Sequence, residues 1–359
     1  MNFDFTDDQQ AIKRTAREFL QARYKPELIR ELAGSEHGFT DEQWAAVSEL
    51  GWPGVMIDEQ HGGLGLGAVE LIVIQEELGY ALAPTPLLSS VAAGLVIEAA
   101  GSEEQKERWL EPLASGESRG AVAMWDENSG WSPAHSSAAL TDGKLTATKV
   151  GVADAATADV LVVSGRGAHW IVQSGAPGLE IAREPSLDET RKLYRVSFTD
   201  TPVEPLPAGT MESFMLAYGT VSAALAAENV GIAQRTMEMA VEYAKDRKQF
   251  DRPIGSYQAV SHRCAQMLLE VEGARSLTYG AAWALDHEPE TAVRAASMAK
   301  AYAGDAGFRV SASALQVHGG IGFTWEHDLH FFLKRAKANA HAYGDSRWHR
   351  ERVAELSDL

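Results

Sequence analysis

The chain has 359 residues, 45% of them hydrophobic and 23% charged, with 50 acidic against 32 basic side chains and a formal net charge of −18 at pH 7. That composition excludes a disordered chain, and the length exceeds a single small core, so two or three domains or layers are expected. The acidic balance argues against nucleic acid and anionic membrane as partners, because neutralising phosphates requires a basic footprint.

Cys264 is the only cysteine, so no internal disulfide forms, and no Cys/His run has zinc-ligand spacing. The N-terminus, MNFDFTDDQQAIKRTAREFL, lacks the basic and apolar regions of a leader. No apolar run approaches the roughly 18 residues that a membrane span needs. A cytoplasmic protein with no membrane partner is the expectation.

Thr6 is placed to cap a helix through TDDQQAIKRTAREFL, with aspartates in its first turn and Ile12, Ala16, Phe19 and Leu20 on one face. DEQWAAVSELG repeats the pattern with Trp44, Val47 and Leu50, and Gly51 is its predicted C-cap. After the glycine-rich loop WPGVMIDEQHGGLGLG, AVELIVIQEELGYALAPTP reads as a strongly apolar helix halted by Pro84 and Pro86. From Gly116 to about Pro207 the text turns Thr-, Val- and Gly-rich, and KLTATKVGV, ADVLVVSG, AHWIVQSG and KLYRVSFTD read as strands. Helical periodicity then returns, and Ala223, Ala224, Ala226 and Ala227 permit close helix packing in a bundle. QVHGGIGF, residues 316–323, interrupts that region with three glycines among eight residues. The expected architecture is α+β, with an N-terminal helical domain over 1–115, a middle β domain over 116–208 and a C-terminal helical bundle over 209–359.

Three stretches together resemble the acyl-CoA dehydrogenase family: LGWPGVMIDEQHGGLGLGAVELIVIQEELGYALAPTP, GIAQRTMEMAVEYAKDRKQFDRPIGSYQAV and QVHGGIGFTWEHDLHFFLKRAKA. The resemblance covers essentially the whole chain. It implies a barrel-like middle domain, a C-terminal four-helix bundle and FAD chemistry. In that chemistry a base takes the α-proton of an acyl-CoA while the β-hydrogen leaves as hydride to the flavin, giving a trans-2-enoyl-CoA. Electron-transfer flavoprotein is the implied electron acceptor.

It also implies that some residues serve a neighbouring subunit's FAD. Gln316, Gly319 and Gly320 match a turn that lets the adenosine end approach bare backbone, which glycine permits because it lacks Cβ. Arg247 supplies a planar cation for the pyrophosphate and Phe250 an apolar surface. Gln258 matches the family's glutamine in that segment. The plainer readings are a helix cap and loop at the glycines, a dipole-compensating arginine and a solvated glutamine.

The chain departs from the family at its own flavin strand and at the base. Trp125 and Asp126 stand where the family has Thr-Glu, and KVGVAD, with Lys149, Gly151 and Ala153, replaces Lys-x-Trp-Ile-Thr-Asn. Tyr343 occupies the usual glutamate position, and Val221 the alternative one at the preceding helix. A tyrosine with its ordinary pKa is ionised only about once in a thousand at pH 7, a deficit of roughly 4 kcal/mol, so Tyr343 reads as a filler or hydrogen-bond donor. Asp345 is the acidic residue nearby, read as a displaced base or as a turn or cap residue. Glu228 reads as an exposed or paired helix residue. His318 is read as a cofactor contact or as oriented by a backbone hydrogen bond, His327, His330, His341 and His349 as solvated helix faces, and Cys264 as a small core residue.

Three functions fit these residues. The first is a subunit of a heteromeric α2β2 acyl-CoA dehydrogenase, resembling actinobacterial enzymes that act on sterol side-chain or other bulky acyl-CoA esters, with a homologous catalytic partner lending the base. The second is a complete homomeric dehydrogenase using Asp345, and the third a flavin monooxygenase of the same fold. Intact partner-facing motifs beside an eroded flavin strand favour the first.

Overall fold

The computed structural model describes residues 5–357 apart from positions 128, 133, 134, 166 and 209. Its α-helices are α1 (Asp7–Arg23), α2 (Pro26–Gly34), α3 (Asp41–Ser48), α4 (Ala68–Ala81), α5 (Leu87–Ala100), α6 (Glu103–Ser115), α7 (Met211–Asp246), α8 (Gln258–His287), α9 (Pro289–His318), α10 (Leu329–His341) and α11 (Ser346–Glu355). The strands are β1 (Gly120–Ala123), β2 (Trp125–Asp126), β3 (Leu140–Thr141), β4 (Lys144–Ala153), β5 (Val160–Ser164), β6 (His169–Gln173), β7 (Leu179–Glu184), β8 (Leu193–Pro202), β9 (Glu204–Pro205), β10 (Lys248–Gln249) and β11 (Arg252–Pro253).

Local chemistry sets several ends. Thr6 and Gln9 form a reciprocal capping box at α1, and Thr40 with Gln43 and Ser102 with Gln105 do the same at α3 and α6. The C-cap of α3 is Glu49 rather than the expected Gly51, which is left-handed at φ +72° and precedes the short turn Trp52–Gly54. Among the described residues no helix is long and apolar enough to cross a membrane.

The chain forms two compact units. One holds residues 1–30, 68–83 and 222–359. Here α8, α9, α10 and α7 from Ser222 onward make the bundle, with α11 against α9 and α1 against α4. Two glycines let α4 and α7 meet backbone to backbone. A Cβ added at Gly79 would lie 2.0 Å from the Glu228 carbonyl oxygen, and one at Gly231 1.9 Å from that of Glu76. Against the expectation of a strongly apolar helix, α4 also buries charge. Glu76 and Glu77 are buried in it, held by Lys13 (3.1 Å to Glu76) and Arg17 of α1 and by Arg275 of α8 (3.4 Å to Glu76). Burial alone would raise the Glu76 pKa, but Lys13, Arg275 and the Tyr279 hydroxyl bring it below the usual carboxylate value.

The other unit holds residues 31–67 and 84–221. Its β part is two facing sheets, one in the order β1-β5-β6-β9 and the other β2-β4-β8-β7 with β3 beside β4. Alternating residues point inward: Tyr194, Val196 and Phe198 from β8 meet Leu161 and Val163 of β5 and Trp170 and Val172 of β6 in one core. The α+β class and the helical, β, helical order expected from the sequence are thus observed.

Candidate functional site

The segment DRKQF follows directly on the last turn of α7. The Arg247 amide donates to the Tyr243 carbonyl (2.8 Å), its carbonyl accepts from the Ile254 amide (2.8 Å), and β10 and β11 close a hairpin in which Phe250 and Asp251 take positive φ. The Tyr257 hydroxyl donates to the Gln249 carbonyl (3.1 Å), fixing the hairpin to the start of α8. Ile254 and Val260 pack on the same apolar cluster as Ala240 and Ala244 of α7 and Ala314, Leu315 and Val317 of α9. Tyr243 stacks on His318, the last residue of α9, with ring centroids 4.5 Å apart. The two quoted motifs therefore share one end of the bundle.

At that end α9 stops at Gly319, whose φ of +66° is left-handed and suits glycine. An added Cβ at Gly319 or Gly320 would meet nothing within 4 Å, so the space in front of this backbone is open. Arg247, Phe250, Gln258, Gln316 and Gly320 are exposed, Phe250 to 89%. The exposed apolar side chains Ile321, Phe323 and Trp325 follow the turn. His318 is buried, its Nδ1–H donating to the Ala314 carbonyl (2.8 Å), and burial lowers its pKa, so it is a neutral structural residue. An exposed cation, bare backbone and an exposed ring fit the diphosphate and adenosine portions of FAD.

The chain's own candidate flavin strand does not fit the flavin ring in the same way. Lys149 is fully buried, and its ammonium donates to Asp126 Oδ1 (2.5 Å), the Met124 carbonyl (3.0 Å) and Ser136 Oγ (2.9 Å). Burial works against the charge on both partners: it lowers the Lys149 pKa, whereas at Asp126 the ammonium and Ser137 outweigh it and hold the carboxyl below its usual range. Trp125 packs edge-on against Trp131 and Tyr218, with centroids 5.6 and 6.1 Å apart. Gly151 sits in a bulge of β4 at φ +63° with its amide donating to Glu184 (2.8 Å). Neither Gly151 nor Ala153 carries a side-chain donor.

The turn between α10 and α11 holds Tyr343, which the sequence resemblance aligns with the family's base. Tyr343 and Gly344 take φ of +56° and +99°. The Tyr343 carbonyl accepts from His349 Nε2–H (2.9 Å), and the Gly344 carbonyl accepts from the Lys300 ammonium (2.9 Å). Burial drives the Lys300 pKa down to about 7 and that of His349 to about 3. Asp345 is the N-cap of α11, its Oδ1 accepting from the Trp348 amide (2.8 Å).

Several sequence readings change here. His349 is buried rather than solvated, and Cys264 is half-buried at the edge of the bundle cluster rather than within it. Of the two readings of Glu228, exposed or paired, the structure has the second: it is buried and bound to Arg335 at 2.6 Å. Lys300 and Arg335 escaped the sequence reading because nothing in their spacing marks them as buried. Among the described residues no group of three His, Cys, Asp or Glu is placed to hold a metal.

The chain matches the acyl-CoA dehydrogenase N-terminal domain over residues 6–117 and the C-terminal domain over 214–357. It is 30% identical to the acyl-CoA dehydrogenase IpdE2 of Mycolicibacterium smegmatis, over 95% of this chain and 96% of the relative. It is similar to the ChsE4-ChsE5 complex of Mycobacterium tuberculosis, at TM-score 0.91 and 28% identity over all of both chains. It also resembles a variant of the Tcur3481-Tcur3483 steroid ACAD, at TM-score 0.90 and 26% identity over 98% of each chain. The chain belongs to the acyl-CoA dehydrogenase family.

Proposed function

We propose that this chain is the non-catalytic-type subunit of a heteromeric acyl-CoA dehydrogenase, lending FAD contacts to a homologous partner that supplies the base. The observation that carries the reading is a contrast. Arg247, Phe250, Gln258, Gln316, Gly319 and Gly320 surround one open end of the bundle, while the chain's own strand spends Lys149 on Asp126 and offers no donor at Gly151 or Ala153. FAD bound at the shared site would accept the β-hydride of the acyl-CoA. This chain's part is to hold the diphosphate with Arg247, to reach the adenosine end with Gln316 and to keep the approach free of side chains at Gly319 and Gly320.

No carboxylate stands at either base position, since Tyr343 and Val221 fill them. Asp345 is engaged as a helix cap. The similarity to ChsE4-ChsE5 and to a steroid ACAD supports a two-chain assembly acting on a bulky acyl-CoA; electron-transfer flavoprotein as the electron acceptor follows from the family resemblance alone.

The test is turnover of the assembled enzyme. Tyr343→Phe and Asp345→Asn are each expected to change kcat by less than about tenfold, well below the loss that follows removal of a true base. Asparagine preserves the cap, so the second substitution isolates the charge. A fall of several orders of magnitude in either variant would place the base in this chain and restore the homomeric reading.

A further inference from the structure

The α7–α10 unit holds a cavity of about 330 Å³ between the start of α2, the end of α4, the middle of α7 and the start of α10. It lies away from the Tyr343 turn, because Phe332 at the start of α10 and Tyr343 beyond its end are roughly 15 Å apart at 1.5 Å per helical residue. Ile29, Leu82, Met239, Phe331 and Phe332 give it an apolar wall. Its polar lining is lopsided. Tyr24 is 5% exposed, its hydroxyl is buried with no hydrogen-bond partner, and burial pushes its pKa up to about 12, so it stays a donor in need of an acceptor. Lys25 and Arg235 line the same cavity, and among the described residues neither is paired with a carboxylate. Arg235 lies against the Tyr80 ring, 5.6 Å from its centroid. The one lining carboxylate, Asp328, is already bound to Arg30 at 2.6 Å.

An orphaned donor in a cavity also lined by two cations that have no carboxylate partner among the described residues, in a chain of net charge −18, is the chemistry of an anion site. The apolar wall asks for a hydrocarbon body behind the anion, and the volume excludes a coenzyme A thioester while admitting a small acid. We propose that this cavity binds a small free carboxylic acid with an apolar body. Tyr24, Lys25 and Arg235 take the carboxylate, and Ile29, Met239 and Phe332 take the hydrocarbon. Of the three anion contacts, the Tyr24 hydroxyl is the most informative, since its loss removes a hydrogen bond the free protein does not make.

The experiment is calorimetric titration of the full chain, in the complex with which it purifies, using sodium octanoate, octanol and inorganic phosphate as probes. Octanoate is expected to bind with one site per chain at a Kd below about 1 mM. Octanol, phosphate, and octanoate with the Tyr24→Phe or Arg235→Gln variants are each expected to bind roughly tenfold or more weakly. Tyr24→Phe is expected to keep or raise the melting temperature, because it deletes an unsatisfied buried hydroxyl, so lost binding in that variant is not lost folding. No saturable octanoate binding, equal affinity for octanol or phosphate, or unchanged affinity in both variants would overturn the proposal.

Discussion

Arg247 directly follows α7 with its side chain in solvent, next to a hairpin whose backbone is fixed on both sides by hydrogen bonds. The fixed hairpin spares backbone ordering when the guanidinium meets a diphosphate, and a charge-assisted contact contributes about 1.5–3 kcal/mol. Arg247→Ala is therefore expected to weaken flavin retention by the assembled complex about tenfold or more, read as flavin released on dilution. Unchanged retention would remove Arg247 from the site. The sequence singles this residue out because its motif is local: an arginine three positions before an aromatic, then PIGSYQ. Lys300, Arg335 and His349 have no such motif. Their roles come from burial against carbonyls and carboxylates far along the chain, such as Gly344 for Lys300 and Glu228 for Arg335. Helical spacing alone gives a buried lysine and an exposed one the same text.

Among the elements, the crossing of α4 and α7 is set by Gly79 and Gly231. The approach leaves no room for a methyl group on either side, and the neighbours are backbone carbonyls that cannot swing away. Gly231→Ala is expected to cost at least about 2–3 kcal/mol, beyond any gain in helix propensity, and to lower the melting temperature by several degrees. A variant as stable as the parent would show that the helices can separate at little cost. The four alanines from 223 to 227 announced close packing in the sequence, and the strands β4, β5, β6 and β8 fell within the quoted stretches because alternation and turn residues mark them. Neither pattern could reveal that α4, read as apolar, buries Glu76 and Glu77, since the compensating charges lie on α1 and α8.

For the molecule as a whole, acid sensitivity follows from two buried histidines. Burial lowers the pKa of His169 from 6.5 to about 4 and that of His349 to about 3. The unfolded chain then takes up these protons first, so stability is lost as pH falls below about 6.5, by roughly 2 kcal/mol per histidine on reaching pH 5. Urea unfolding between pH 7 and pH 5 checks this, and His349→Asn is expected to flatten part of the decline. An unchanged midpoint across that range in the parent would contradict it. The functional account rests on assembly, because a chain that completes another protein's flavin site exposes apolar surface when alone, here Phe250, Ile321, Phe323 and Trp325. The most direct measurement is flavin absorbance per polypeptide with native mass, for the chain alone and co-expressed with its catalytic partner. Alone it is expected to be colourless or poorly soluble, and with the partner to form a yellow complex holding one FAD per two chains that acyl-CoA bleaches. A soluble homo-oligomer of this chain, carrying one FAD per protomer and reduced by acyl-CoA, would contradict the account.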